Sequence, residues 1–200
     1  MTSQDRDRAV RLILVRHGES EGNRDRTFTQ SSEVPLTATG CAQARATAGR
    51  IARHYRPTRI VASPFARAWQ TAEIIGKVLR VGLQPEAELR EQSFGVFAGQ
   101  PYEVMLGDAA YHEGPRWHWR PPGGESLVDV FERAVPAFER LARGSIGEEV
   151  VVVSHGGVML ALCAYVTGSW EGLTVTPNAG IVLVEYCSGR FGPPRPVTDE

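Results

Sequence analysis

The sequence predicts a three-layer α/β/α sandwich built on a mainly parallel sheet. Three observations carry that expectation. Short, branched, apolar runs alternate with longer stretches of helical periodicity. Two of the runs, Leu12-Ile13-Leu14-Val15 and Val150-Val151-Val152-Val153, are unbroken by polar residues, as strands covered on both faces are. Each is followed by a histidine and a glycine, in Arg16-His17-Gly18 and in Ser154-His155-Gly156. Ligands of open parallel sheets bind at the carboxyl ends of the strands. One strand ending in His-Gly is weak evidence; two in one chain point to a shared site. Paired imidazoles there could bind a metal, shuttle protons, or act as a nucleophile and its partner.

Bulk properties narrow the class. Two hundred residues suffice for one domain with a sizeable core, residues 1–200 taken as one unit. A net charge of −1 gives no reason to expect nucleic-acid or acidic-membrane partners. No apolar run reaches the roughly 18 residues of a membrane span. Cys41, Cys163 and Cys187 are too few and too far apart for a disulfide framework or a metal knuckle. Residues 1–8 are polar, read as a frayed start, and carry no secretory leader. A reducing cytoplasm is the expected compartment.

In chain order, the first strand covers about residues 10–15. Residues 20–34 are polar and irregular and read as a loop over the site edge. Thr37 or Thr39 can cap an alanine-rich helix running to about Arg53. Residues 59–62 form a second strand, stopped by Ser63-Pro64. A helix follows over about 65–79, with Ala68, Ala72, Ile75 and Leu79 on one face. A third strand lies near 83–86. Residues 92–124 are rich in glycine, proline and aromatics, and read as a folded lid. Trp117 and Trp119 are expected in the lid's own core. Ser126 caps a helix to about Arg143, with Asp129 completing a capping box and Pro136 expected to kink it. After the Val150 strand comes an apolar, buried helix over about 157–166. The last strand covers about 181–186, and the proline-rich tail beyond Gly192 reads as loose. An exposed sheet edge could pair two copies as a homodimer.

The polar residues that follow the strands are Arg16, His17, Asn23, Arg67, Glu91 and His155. Two guanidiniums suit the oxygens of a phosphoryl group. A neutral imidazole can attack phosphorus, and a second one, protonated, can stabilise the charge in transit. A carboxyl group could protonate a leaving alcohol. On the residues alone, Glu86, Glu88 and Glu103 compete with Glu91 for that part. An arginine on a helix, as Arg67 is, is more often merely solvated. His54, His112 and His118 have no motif around them.

The ordered motifs resemble the histidine phosphatase superfamily, the phosphoglycerate-mutase-like proteins. The likeness rests on Arg16-His17-Gly18-Glu19-Ser20 with Asn23, and on Pro35-Leu36-Thr37. It continues through the block from Ser63 to Ala72 and Leu89-Arg90-Glu91-Gln92-Ser93-Phe94-Gly95. Gly123-Gly124-Glu125-Ser126 and Ser154-His155-Gly156-Gly157 complete the series. It implies a phosphoglycerate-mutase-like fold and His17 as the phosphorylated nucleophile. It implies a phosphate pocket of Arg16, Arg67 and His155, with hydrogen bonds from Asn23 and the Gly156 backbone. It selects Glu91 as proton donor and requires no metal or other cofactor. Ser63 and Ser154 become candidates for orienting the histidines.

Such chemistry divides between hydrolysis and intramolecular transfer. The lid has no lysine, and its arginines are Arg116 and Arg120. That poverty favours a phosphomonoester hydrolase acting on a small-molecule ester with an apolar or bulky leaving group. The alternatives are a phosphoglycerate-type mutase, an inactive phospho-ligand-binding scaffold and a metal hydrolase.

Overall fold

A computed structural model describes residues 9–29 and 31–198. The polar start, residues 1–8, lies outside the described residues. The strands are β1 (Val10–Arg16), β2 (Arg59–Ala62), β3 (Leu83–Pro85), β4 (Glu149–Ser154), β5 (Ile181–Cys187), β6 (Arg190–Phe191) and β7 (Arg195–Val197). The helices are α1 (Glu21–Arg24), α2 (Ala38–His54), α3 (Ala66–Leu79), α4 (Tyr102–Leu106), α5 (Leu127–Arg143) and α6 (Gly156–Thr167).

The sheet runs β3-β2-β4-β1-β5-β6, with β7 also on β5. It is mixed. The four strands β3, β2, β4 and β1 pair in parallel, whereas β5 is antiparallel to β1, β6 and β7. The apolar runs of β1 and β4 lie side by side at the centre. Their register sets Val15 against Val153 and Arg16 against Ser154. The residues just beyond, His17 and His155, therefore leave the same edge together. The His17 backbone N–H donates to the Ser154 carbonyl at 2.9 Å, which extends the register by one step.

Side chains of a strand alternate between faces, and the core divides accordingly. Leu12, Leu14, Val150 and Val152 pack with Val130, Phe138, Met159 and Leu162 of α5 and α6. Ile13, Val15, Val151 and Val153 pack with Ala48 and Ile51 of α2 and Ala68, Ala72 and Ile75 of α3. These are the three layers the strand–helix alternation predicts.

Helix starts follow local chemistry. Thr37 Oγ1 accepts from the Gly40 N–H at 3.0 Å and caps α2. Ser126 and Asp129 form the expected capping box of α5. Pro136 lies inside α5 without ending it.

Two details depart from the sequence reading. The segment taken as a plain loop, 20–34, contains α1, capped by Ser20 and Asn23 in a capping box. Its single turn is too short to show periodicity. The tail read as loose contributes β7, where Val197, Pro196 and Arg195 oppose Ile181, Val182 and Leu183. Proline is admissible there because the strand lies at an edge. Pro64 directly precedes Phe65, the cap residue of α3. Gly18 lies close to another stretch of backbone. A Cβ on it would lie 2.4 Å from the Gly40 carbonyl oxygen.

The lid packs on itself and on the loop at 26–29. Phe28 N–H donates to the Gln100 carbonyl, and Gly99 N–H to that of Phe28, at 2.9 and 2.7 Å. Trp119 packs on Tyr111 and Phe97 within the lid, as expected, whereas Trp117 stacks on Trp170, outside the lid, and so joins the lid to the body of the domain.

Candidate active site

His17 and His155 face each other with ring centroids 5.1 Å apart. Arg16 follows from the end of β1, and Arg67 from the first turn of α3. Glu91 comes from the segment after a short turn at Ala87–Leu89. These five side chains come together, and all but His155 line one cavity of about 210 Å³. His155 sits behind its wall, fully buried, with Nδ1 3.8 Å from Glu91 Oε2. Asn23 and Gly156 also line the cavity. The competing acids fall elsewhere: Glu103 pairs with Arg26, Glu88 with Arg90, and Glu86 with Arg140. His54, His112 and His118 are exposed and distant from it.

His17 has a defined tautomer. Its Nδ1 lies 2.7 Å from the Gly18 carbonyl oxygen, which can only accept. Nδ1 therefore carries the proton, and Nε2 keeps its lone pair. Burial pushes the His17 pKa well below the usual histidine value, and the guanidiniums of Arg67 and Arg16 push it further. A neutral imidazole with a free lone pair is a nucleophile.

His155 is oriented by Ser63, whose hydroxyl lies 2.8 Å from Nε2. Its Nδ1 has no hydrogen-bond partner. Burial, then Arg67, His17, Arg16 and Arg133, hold its pKa well below the usual value. The second imidazole is thus neutral beside the two guanidiniums, where the sequence suggested a protonated one. A phosphoryl dianion would offset that positive field and favour protonation. Ser154 does not orient a histidine through its side chain. Its hydroxyl donates to the Leu89 carbonyl at 2.8 Å and so ties β4 to the segment that carries Glu91.

Burial also lowers the Arg16 and Arg67 pKa values, with Glu91 acting in the opposite direction. Arginine remains charged through such shifts. Arg16 Nη1 donates to the Thr176 carbonyl at 2.8 Å. Arg67, only 1% exposed, has its guanidinium carbon 5.4 Å from the Phe65 ring centroid. The site therefore has two fixed cations beside two neutral imidazoles, an arrangement that holds a phosphoryl group through its oxygens.

Two supporting groups carry no sequence signal. Asn178 Nδ2 donates to the His17 carbonyl at 3.2 Å and to Asn23 Oδ1 at 3.0 Å. Ser20 N and Ser20 Oγ donate to the same Oδ1. With its oxygen so occupied, the Asn23 amide group is left to Tyr102 Oη, 3.4 Å away, and to the cavity. Arg133 donates to the carbonyls of Glu88, Arg90 and Glu91 and to both oxygens of Glu125. It clamps the backbone on either side of Glu91. Asn178 reads as a turn residue after a proline, and Arg133 as one of many helix arginines.

His17, Glu91 and His155 bring one potential metal-ligand atom each within 4.8 Å of one another. The adjacent guanidiniums oppose a cation at that point and favour an anion.

A mixed sheet that delivers two histidines, one buried and one half-buried arginine and one carboxylate to a single edge defines an anion-binding, phosphoryl-transfer type of site. The chain belongs to the histidine phosphatase superfamily (branch 1), whose profile matches residues 12–194. Relatives include the glucosyl-3-phosphoglycerate phosphatase of Mycolicibacterium vanbaalenii. It is 32% identical, covering 96% of this chain and 91% of its own. Phosphoglycerate mutase-like protein 4 of Arabidopsis thaliana is 32% identical over 80% of this chain and 72% of its own. The chain spans only 41% of a bifunctional protein of Mycobacterium tuberculosis to which it is 34% identical. Among solved structures, mycobacterial hydrolase 1 superposes with a TM-score of 0.83 at 30% identity. That match covers 96% of this chain and 98% of the other. No helix among the described residues is long and apolar enough to cross a membrane.

Proposed function

We propose that the protein hydrolyses phosphomonoesters through a phosphohistidine on His17. The observation that carries this reading is the neutral His17 ring, its Nε2 unprotonated, beside Arg16 and Arg67 in one cavity. Arg16 and Arg67 take the phosphoryl oxygens, helped by the Asn23 amide and the backbone N–H of Gly156. Gly156 opens α6, where N–H groups and the helix dipole favour an anion. His17 Nε2 attacks phosphorus in line as the bond to the ester oxygen breaks. Glu91 gives its proton to the departing alkoxide. Water then attacks the phosphohistidine, Glu91 recovers a proton from it, and phosphate leaves with His17 restored. Acid–base help of this kind contributes about 10²–10⁴-fold. His155, kept in place by Ser63, takes up charge as the phosphoryl group transfers to His17.

Turnover of phenyl phosphate tests the reading. Activity that persists in excess chelator and is inhibited by vanadate supports it. A His17→Ala variant with full hydrolytic activity would overturn it, as would an activity lost to chelator and restored by a metal. A chain that binds phosphate esters but turns none over is a phospho-ligand scaffold instead.

A further inference from the structure

On the phosphatase reading above, we infer that the site selects monoesters whose leaving alcohol carries no second anion and presents an apolar, ring-bearing body. The argument starts from charge. Among the described residues, the cations lining the cavity are Arg16 and Arg67, and both stand beside His17. One phosphoryl dianion therefore matches the two guanidinium charges that line the cavity. Glu91 lines the same space and adds no positive charge to it. Nearby arginines are already engaged. Arg26 holds Glu103 at 2.8 Å, and Arg120 holds Asp129 at 2.5 Å.

Beyond the polar groups of Asn23, Thr29 and Gln92, the rest of the wall is hydrocarbon and aromatic. Phe28, Phe94, Tyr102, Leu127, Leu160 and Val175 line it. The Phe28 ring lies 4.3 Å from Phe94 and 4.6 Å from Tyr102, centroid to centroid. Phe28 is fixed by its two backbone hydrogen bonds to the lid, and Tyr102 by its contacts with Asn23 and Arg26. Such a shelf suits a ring or an aliphatic body, since a flat apolar group gains from offset or edgewise packing on it. A carboxylate or second phosphate brought there would lose water and find no further cation to offset its charge. The names of several relatives contain phosphoglycerate, whose carboxylate is such a group. This cavity does not provide for it.

A matched set of esters tests the inference. Glycerol 3-phosphate and 3-phosphoglycerate differ by a carboxylate in place of a hydroxymethyl group, and phenyl phosphate adds a ring. The expected order of kcat/KM is phenyl phosphate, then glycerol 3-phosphate, then 3-phosphoglycerate. The carboxylate should cost about a hundredfold, the size of an unpaired charge in a site that cannot solvate it. Equal or faster turnover of 3-phosphoglycerate than of glycerol 3-phosphate overturns the inference, and so does a preference for glycerol 3-phosphate over phenyl phosphate. Leu127→Arg places a third cation at the wall and should narrow the glycerate penalty by about tenfold. An unchanged ratio in that folded variant counts against the charge argument. If no ester is hydrolysed, the proposed function falls separately. Calorimetric titration of the same three esters into the wild-type protein then decides the selectivity. Tighter binding of phenyl phosphate than of 3-phosphoglycerate upholds it, and the reverse order overturns it.

Discussion

Replacing Asn178 with aspartate tests whether the loop before β5 holds the phosphate-binding groups in place. The native Nδ2 donates to the His17 carbonyl and to Asn23 Oδ1. An ionised aspartate has no donor and sets a carboxylate against both acceptors. Two lost hydrogen bonds contribute about 1 kcal/mol each. The unrelieved approach of like partial charges adds to this, for a total of roughly 2–4 kcal/mol. For a chain of this size that lowers Tm by roughly 5–15 °C. Asn178→Ala removes the bonds without the repulsion and should cost about half as much. The functional effect is more diagnostic. Without Asn178, Asn23 Oδ1 keeps only its Ser20 donors and its amide group loses its fixed aim. One hydrogen bond to a charged oxygen is worth about 1.5 kcal/mol, so KM for phenyl phosphate and the inhibition constant of phosphate should rise about tenfold. The kcat should fall less. Thermal unfolding and steady-state kinetics on the same samples read both effects. An aspartate variant with KM and phosphate inhibition within about twofold of wild type refutes the reasoning.

Three further outcomes follow. Gly157→Ala places a methyl group 3.1 Å from Glu91 Oε1 and 3.3 Å from Leu127 Cδ2, so the carboxylate must shift by a few tenths of an ångström. Thermal stability should be nearly unchanged while kcat drops about tenfold, because small displacements of a reacting group are costly; unchanged kcat would show that Glu91 needs no such placement. Arg133→Met leaves Glu125 without its main partner and frees the backbone around Glu91. It should cost roughly 3–5 kcal/mol in stability, seen in denaturant unfolding, and reduce kcat more than it raises KM; loss of stability with intact kcat would limit Arg133 to a structural part. The pH dependence has a definite sign. His17 and His155 have folded pKa values well below 6.5, through burial first and then the neighbouring guanidiniums. The unfolded chain binds protons at about pH 6.5 that the native chain refuses. The contribution of these groups is present above about 6.5 and is lost progressively as pH falls toward the folded values. Calorimetry across that interval should show Tm falling with acidity, and a Tm that rises would contradict the buried neutral state.

Much of the fold is legible because its physics is local. The β1 and β4 runs have no polar residue that could face water, so they can only be covered on both sides. Their shared His-Gly ends then imply adjacency, which the parallel register supplies. Ser126 with Asp129 and Thr37 before Ala38 mark helix starts through their own hydrogen bonds. The groups that escaped the sequence reading depend on distant partners. Asn178 matters only because β5 lies beside β1, which brings its loop under His17 and Asn23. Arg133 matters only because α5 passes behind the segment at 88–91. The β7 strand exists because β5 offers an open edge, a fact that no property of the tail itself reveals. The charge state of His155 is likewise a property of the assembled cluster. Burial and two nearby guanidiniums decide it, and neither is written in Ser154-His155-Gly156.

Rapid acid-free quenching of the protein during turnover of a radiolabelled phosphate ester, followed by peptide mapping, addresses the central step. The account predicts an acid-labile, base-stable label on the peptide bearing His17 and none on that of His17→Ala. A label on another residue, or hydrolysis at full rate with no labelled protein at any time of quenching, would contradict it.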